Sequence, residues 1–231
     1  MRVEGISSGS KGNAYIISDG STDLMIECGV PMSKLMKNCD IDSISAVLIS
    51  HRHGDHCKAI TKMHDAGVEI YAPADVFDAY KLSGSGCNIS EPFQSFKVGT
   101  FSVLPFDLHH DVINLGYLIC SLATGERLMY FTDTYMVKYK FEGLTHIMAE
   151  CNYSMRMLKE NTELGLVPLF LKDRIKVSHM SIEQLLEFFK ANDLSKAEQI
   201  YLIHISDNNG NPVTFKRRVK KLTGVPVEVF T

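Results

Sequence analysis

Short apolar segments rich in β-branched residues alternate along this chain with segments whose apolar positions recur at helical spacing. Strands are predicted at residues 2–6, 13–18, 22–27, 46–50, 69–72, 96–105 (a strand or a hairpin), 114–122, 127–132, 145–149, 199–203 and 225–230. Helices are predicted at 31–38, 58–66, 73–82, after an N-cap at Ser181 and at 212–222, while 154–160 and 162–171 are helical or irregular. This irregular alternation, with hairpins in each half, favours an α/β (α+β) chain in which two sheets pack face to face with helices outside.

The composition limits the possible domain organisation, partners and location of the protein. With 231 residues, 45% of them hydrophobic and 22% charged, the chain is expected to form one domain over 1–231. The net charge of −3 gives no overall basic field for nucleic acid, although a local basic surface remains possible. The chain has six cysteines without a CxxC pair, no signal peptide and no apolar run long enough to span a membrane. These features predict a cytoplasmic protein without a membrane partner. The oligomeric state is left open.

The segment 50–56, Ser-His-Arg-His-Gly-Asp-His, contains the strongest chemical signal. His51 and His53 are two residues apart on a predicted extended loop, so they point the same way, and Asp55 follows at the same period before His56 turns away with the helix. Imidazole and carboxylate groups suit zinc, iron or manganese, and four such residues are too many for one open catalytic ion. The turn therefore indicates two ions, the alternative being a polar turn that happens to be rich in histidine.

Three further candidate ligands, His110, Asp133 and His204, lie at or near predicted strand ends. Each alone has an ordinary alternative, a hydrogen-bonded core histidine or a turn aspartate. Together with the four residues of the turn they make seven ligands, enough for two ions with a shared carboxylate and positions open for water.

The order His51-Arg52-His53-Gly54-Asp55-His56, then His110, Asp133 and His204, resembles the metallo-β-lactamase superfamily and extends over most of the chain. The resemblance implies a four-layer αββα sandwich with a dinuclear site along one sheet edge. It further implies that one ion is held by His51, His53 and His110, that the other is held by Asp55, His56 and His204, and that Asp133 bridges them. His109 competes with His110, which is preferred because Asp111 follows it. Zinc is the first expectation, with manganese and iron as alternatives.

A closer similarity is to the YycJ-like (WalJ-like) group within that superfamily. It rests on the segments Ser8-Gly9-Ser10-Lys11-Gly12-Asn13, Ser178-His179-Met180-Ser181 and Leu202-Ile203-His204-Ile205-Ser206. Glu150 and His179 also resemble the glutamate and histidine that tRNase Z enzymes use around the leaving group. Ser10, Asn13, Asn152 and His179 are the expected substrate contacts. Two positions depart from the family pattern, since Glu27 stands where aspartate is usual and Cys57 where small or aliphatic residues are commoner.

The resemblance implies metal-assisted hydrolysis in which a hydroxide shared by the two ions is the nucleophile. Asp133 would orient that hydroxide, Asp55 would help to accept its proton, and His179, oriented by Glu150, would donate a proton to the leaving oxygen. The first hypothesis is a phosphodiesterase or nuclease that acts on DNA or RNA. The alternatives are a hydrolase of a small thioester, lactone or lactam, and a non-catalytic, metal-stabilised binding module.

The spacing between motifs narrows the nuclease hypothesis. The intervals from His56 to His110 and from Asp133 to His204 are too short for an inserted domain of the RNase J type or the long arm of tRNase Z. A flavin–diiron oxygen reductase is disfavoured because His53 is present where those enzymes carry an acidic residue.

Overall fold

The computed structural model describes all residues from 1 to 231. The chain forms two compact units. The first comprises Met1–Asp107 and Val112–Glu126, and the second comprises Leu108–Asp111 and Arg127–Thr231. The single domain expected over 1–231 stays a prediction. None of the helices combines the length and the apolar character needed to span a bilayer.

The first unit contains a six-stranded sheet in sequential order, β1-β2-β3-β4-β5-β6. Its strands are β1 Arg2–Ser7, β2 Ala14–Ser18, β3 Asp23–Ile26, β4 Ile44–Leu48, β5 Glu69–Ala72 and β6 Cys87–Ile89. The β1–β2 and β2–β3 pairs are antiparallel, whereas β3 to β6 run parallel. The remaining elements of the unit are α1 Met32–Asn38, α2 Gly54–Cys57, α3 Ile60–Asp65, α4 Ala74–Tyr80, β7 Phe96–Val98, β8 Phe101–Leu108 and β9 Asn114–Ser121.

The second unit contains four neighbouring parallel strands. They are β10 Arg127–Phe131, β11 His146–Glu150, β12 Gln199–Ile203 and β13 Val227–Val229. The helices are α5 Met155–Glu163, α6 Leu169–Ser178, α7 Ile182–Ala191 and α8 Pro212–Thr223. All of β11 and nearly all of β12 is buried, as expected for parallel strands covered on both faces.

The helix predicted after Ser181 is confirmed, and its start shows why the sequence forms it. Ser181 and Gln184 form a reciprocal capping box, which satisfies backbone N–H groups that have no partner within the helix. The buried face of α7 consists of Ile182, Leu185, Phe188 and Phe189, while Leu186 is half-buried.

Several element boundaries differ from the predictions, and one difference changes the local geometry of the turn. The helix expected at 58–66 is divided into α2 and α3, and α2 already begins at Gly54. Asp55 therefore lies in a helical first turn, and the extended period inferred for it was wrong. The strand β6 was not predicted, and the uncertain region 162–171 contains the start of α6, which continues to Ser178.

Asp19 is a carboxylate whose hydrogen bonds join distant parts of the first unit. Its Oδ2 accepts from Thr100 Oγ1 and Ser121 Oγ, each at 2.7 Å, and its Oδ1 accepts from the backbone amides of Ser21 and Thr22. Partial burial opposes the charge, but these hydrogen bonds lower the pKa of Asp19 to about 2. The ionised side chain therefore stabilises the fold.

We expect Asp19→Asn to lower the free energy of unfolding at neutral pH by about 1 kcal/mol, after allowance for solvent screening of this partly exposed group. Because the folded-state pKa is depressed, the contribution is complete above the unfolded-state value near 4 and is lost as the pH falls towards 2. Urea unfolding at neutral pH and at pH 3 measures this difference. A variant as destabilised at pH 3 as at pH 7 would contradict it.

Candidate metal centre

The histidine-bearing turn follows β4, and the residues after β3 hold it in place. Glu27, directly after β3, is fully buried with φ of 58°, a left-handed conformation that is strained for a glutamate. Its carboxylate accepts the backbone N–H of Ser50 at 3.2 and 3.3 Å and lies 3.4 Å from His56 Nδ1. Glu27, which stands where the family usually has aspartate, therefore orients both ends of the turn.

The imidazoles of the turn converge. Ser50 Oγ lies 2.9 Å from His51 Nδ1, and His51 Nε2 lies 3.0 Å from His53 Nδ1. The rings of His51 and His56 are 4.2 Å apart, and both residues are fully buried. Asp55 Oδ2 lies 3.5 Å from His56 Nε2. A hydrogen bond to one ring nitrogen is the usual way in which a metal-binding histidine is oriented, so the Ser50 contact suits His51 to that role.

Asn13, directly before β2, supports the same turn. Its Oδ1 accepts the N–H of Gly9, its Nδ2 donates to the carbonyl of Asp55 at 3.2 Å, and Nδ2 lies 3.3 Å from His56 Nε2. The backbone N–H of Asn13 also donates to the Asp55 carbonyl. Asn13 is buried and its amide is engaged, which favours a positioning role, whereas the nearby Ser10 is exposed.

Gly29 lets the segment after β3 touch the turn. A Cβ added to Gly29 would lie 1.7 Å from the carbonyl oxygen of Asp55 and 2.8 Å from the amide nitrogen of His56. No real Cβ tolerates such contacts with backbone, so any side chain here displaces the turn. Gly54, in the same turn, has open space where its Cβ would lie.

These two glycines form a matched pair for a test. Gly29→Ala is expected to cost about 1–3 kcal/mol of stability through overpacking and to weaken metal binding by about 10- to 100-fold, as displaced support of ligands does. Gly54→Ala is expected to leave both properties close to those of the parent protein. Thermal unfolding and metal titration measure the two effects. Equal metal affinity in the two variants would show that the close approach at Gly29 does not position the ligands.

In the second unit, acidic and histidine residues lie at the carboxyl ends of three adjacent parallel strands. Asp133 follows β10, Glu150 ends β11 and His204 follows β12, and Glu150 pairs in register with Ile203. Parallel neighbours bring equivalent ends to one edge, which explains why these three side chains meet. Asp133 and His204 have φ of 49° and 52°, so both turn sharply as their strands end.

Glu150 lies at the centre of the resulting cluster. It is fully buried, and its Oε1 lies 2.7 Å from His179 Nδ1 and 3.0 Å from His204 Nδ1. Its Oε2 accepts the backbone N–H groups of Thr134 and Met180 at 3.2 and 3.0 Å. Four hydrogen bonds therefore fix this carboxylate and, through it, the ring of His179 at the C-cap of α6.

The charges within this cluster support one another. Burial by itself raises the pKa of Glu150, but the imidazoles of His179 and His204 outweigh it and hold the pKa of Glu150 below its ordinary range. Burial likewise opposes protonation of His179, yet the Glu150 carboxylate raises the pKa of His179 above its ordinary value. Glu150 is thus an anion, and His179 is set up to carry a proton.

His110 and His109 are clearly distinguished by their surroundings. The His110 side chain is 2% exposed, and its Nε2 lies 3.9 Å from Asp133 Oδ2 and 3.2 Å from Asp111 Oδ1. His109 is exposed and packs edge-on against Tyr135. These contacts favour His110 as the ligand.

The second unit brings together most of the predicted residues that belong to it. The candidate ligand atoms of Asp133, Glu150, His179 and His204 all lie within 4.8 Å of one another. Asn152 lies beside them and donates from Nδ2 to the His204 carbonyl at 2.9 Å. Buried imidazoles and carboxylates at this density fit a divalent metal ion.

The sequence interpretation missed the ion pair between Arg174 and Asp111, whose Nη2 and Oδ2 atoms are 3.1 Å apart. No local signal marks this pair, because it depends on α6, whose position was not predicted.

The chain is similar to known proteins over most of its length. Residues 16–205, well over half of the chain, match the family model described as a β-lactamase superfamily domain. The chain is 23% identical over 223 residues to exodeoxyribonuclease WalJ of Streptococcus pneumoniae serotype 2 (strain D39 / NCTC 7466), a match that covers 88% of this chain and 81% of that protein.

Two solved structures extend the comparison. The metallo-β-lactamase fold protein YhfI of Bacillus subtilis superposes with a TM-score of 0.76 and 19% identity over 98% of this chain and 95% of its own. The short form of human tRNase Z superposes with a TM-score of 0.65 and 15% identity over 99% and 96%. These likenesses confirm the predicted fold class.

Proposed function

The chain belongs to the metallo-β-lactamase superfamily, and on that premise we propose that it is a dinuclear phosphodiesterase that hydrolyses DNA or RNA. Membership makes it a metal-dependent hydrolase. The single observation that carries the narrower proposal is the hydrogen bond of 2.7 Å between His179 Nδ1 and Glu150 Oε1. A phosphodiester needs a proton for its leaving oxygen, and this buried pair is suited to supply it.

We assign the ligands as the sequence suggested. His51, His53 and His110 would hold one ion, Asp55, His56 and His204 would hold the other, and Asp133 would be shared by both. Support comes from family membership and from the donor chemistry of each unit, with converging imidazoles in the first and buried His and Asp side chains in the second. Zinc is the first candidate, since imidazole-rich ligation suits it, and manganese and iron are the alternatives.

Bound ions would supply an activated water at neutral pH and would polarise the phosphoryl oxygen. The chain's own residues do the rest. Asp133 orients the attacking group, and Asp55 helps to accept its proton. His179 donates a proton to the leaving oxygen, and Glu150 holds the His179 ring through Nδ1.

The substrate contacts are assigned to Ser10 and His179, together with Asn13 and Asn152. Asn13 and Asn152 act mainly through the ligands they support, since their amides contact His56 and His204. The similarity to an exodeoxyribonuclease and to tRNase Z supports nucleic acid as the substrate. We place the enzyme in the cytoplasm, since six cysteines without a CxxC pair suit a reducing compartment, and we take 1–231 as one functional domain.

A substrate panel tests this function. Protein loaded with Zn²⁺ or Mn²⁺ is offered single- and double-stranded DNA, RNA, bis-p-nitrophenyl phosphate, nitrocefin and a glutathione thioester, with metal content measured on the same samples. Cleavage of nucleic acid and bis-p-nitrophenyl phosphate is expected. Cleavage of nitrocefin or the thioester alone would replace the nuclease assignment with that of a small-molecule hydrolase.

A further inference from the structure

The backbone carbonyls from Ile49 to His53, just beyond β4, each accept a hydrogen bond. Tyr117 Oη donates to the Ile49 carbonyl at 2.6 Å, and the Leu115 N–H donates to the Ser50 carbonyl at 3.0 Å. The His53 carbonyl accepts N–H groups of the short helix α2 that follows it. Buried backbone groups without a strand partner need such donors, and the two carbonyls in the middle of this segment obtain them from side chains.

These two carbonyls lie between the candidate ligands His51 and His53. Cys57 Sγ donates to the His51 carbonyl at 3.1 Å, and Tyr80 Oη donates to the Arg52 carbonyl at 3.2 Å. Cys57 is fully buried, and Tyr80 packs against the same hydrophobic cluster. Cys57, which departs from the family pattern, thus makes a contact that an aliphatic side chain could not make.

The helix α4 holds Arg52 by its side chain as well as by its backbone. Asp75, in the first turn of α4, places Oδ2 3.4 Å from Arg52 Nε, while Tyr80 is the last residue of the helix. Val76 and Phe77 bury the same helix in the core. The support for the Arg52 peptide is therefore itself fixed by packing.

Holding both carbonyls determines how the two imidazoles lie relative to each other. Only two peptide units separate the Cα atoms of His51 and His53, and each unit is planar, so the direction of its carbonyl sets the orientation of the whole unit. The backbone dihedrals that link the two residues are then no longer free. His51 Nε2 and His53 Nδ1 lie 3.0 Å apart, and rotation of either peptide would separate them.

We propose that Cys57 and Tyr80 are positioning residues of the metal centre, which hold the backbone between His51 and His53 so that both imidazoles reach the same ion. The inference rests on the ligand assignment within the proposed function. Removing the support of a ligand lowers metal affinity by about 10- to 100-fold. Because a thiol is a weaker donor than a hydroxyl, the loss for Cys57→Ala is expected near the lower end of that range and the loss for Tyr80→Phe near the upper end.

Metal binding, measured apart from hydrolysis, tests this role. Metal-free protein is titrated with Zn²⁺ against a chromophoric chelator, and Co²⁺ is then bound in its place, because its visible absorption depends on ligand geometry. Tyr80→Phe and Cys57→Ala should both weaken zinc binding and change the Co²⁺ spectrum. The melting temperature of each metal-free variant should fall by only about 2–4 °C, as expected for one lost hydrogen bond. Cys57→Ser, whose hydroxyl can donate to the same carbonyl, should recover most of the lost affinity.

The first unit offers a matched control for each variant. Cys39 Sγ donates to the Leu35 carbonyl at 3.4 Å, so Cys39→Ala removes a thiol contact of the same kind away from the turn. Tyr71→Phe removes a hydroxyl from a half-buried ring that stacks on Phe96. Both controls should keep the zinc affinity and the Co²⁺ spectrum of the parent protein.

Each outcome decides the question. If Tyr80→Phe or Cys57→Ala binds zinc as tightly as the parent protein and keeps its Co²⁺ spectrum, that residue has no positioning role. If Cys57→Ser binds as weakly as Cys57→Ala, the loss is due to packing, and the role of the thiol is overturned. Equal losses in the control variants would also overturn the inference. A parent protein that binds metal but cleaves no phosphodiester would refute the proposed function and leave the positioning role standing, whereas one that binds no metal would overturn both.

Discussion

Asp133→Ala is expected to abolish metal binding and hydrolysis together. The Asp133 side chain is 4% exposed, with Oδ1 3.0 Å from His204 Nδ1 and Oδ2 3.9 Å from His110 Nε2, so its charge lies between two proposed ligands. Loss of a bridging carboxylate removes several kcal/mol of electrostatic stabilisation, which corresponds to a fall in kcat of about a thousandfold or more. Elemental analysis after dialysis and turnover of bis-p-nitrophenyl phosphate measure the two losses.

Asp133→Asn controls for the unusual backbone conformation at this position. Asp133 has φ of 49°, which asparagine tolerates better than alanine does. Asp133→Asn therefore keeps the left-handed turn and removes the charge, and we expect the same loss of metal and activity. His109→Ala, at an exposed histidine next to His110, should retain both. Full metal content in Asp133→Asn would contradict the bridging role.

His179→Ala, in contrast to Asp133→Ala, is expected to retain metal and to lose turnover. His179 is bonded to Glu150 at 2.7 Å, whereas its Nδ1 lies 3.8 Å from Asp133 Oδ1. Loss of a general acid lowers kcat by about 10²- to 10⁴-fold, and the loss should appear in kcat with little change in KM.

The leaving group separates proton donation from a structural role. An oligonucleotide releases a strongly basic alkoxide that needs a proton, while p-nitrophenolate leaves readily without one. His179→Ala should therefore impair oligonucleotide cleavage much more than bis-p-nitrophenyl phosphate cleavage. Equal losses on both substrates would remove His179 from proton transfer. Loss of metal would make it a ligand, because its ligand atom lies within 4.8 Å of those of Asp133, Glu150 and His204.

The strand-end residues were predictable because alternation of apolar segments marks where strands end, and polar residues at such ends are conspicuous. Asp133 and His204 were found in this way, whereas Glu150 was singled out by the resemblance to tRNase Z enzymes, and the structure places the three at the ends of β10, β11 and β12. The left-handed conformations of Asp133 and His204, and that of Glu27, could not be predicted. Nothing local distinguishes a non-glycine residue at positive φ, because the surrounding packing imposes that conformation.

The helix α6, by contrast, could not be predicted from its apolar pattern. Periodicity marks a helix when its apolar residues face the core, but Leu164, Leu166, Leu169 and Phe170 are exposed at about 70% or more. The face that is buried contributes only Leu171 and Ile175 to the packing. A helix with apolar residues on both faces has no clear amphipathic pattern, so its bounds and the contact between Arg174 and Asp111 were not recoverable from sequence.

Because four hydrogen bonds hold the Glu150 side chain, its conformational entropy is lost when the chain folds and not when a ligand binds. Its oxygens are already engaged by His179, His204 and the amides of Thr134 and Met180, so these rotamers are fixed as the chain folds. Immobilising a side chain at the moment of binding costs about 0.5–1.5 kcal/mol. Because that ordering is completed beforehand, an ion or a substrate that reaches this cluster meets a preorganised environment, and its intrinsic affinity is expressed without that penalty.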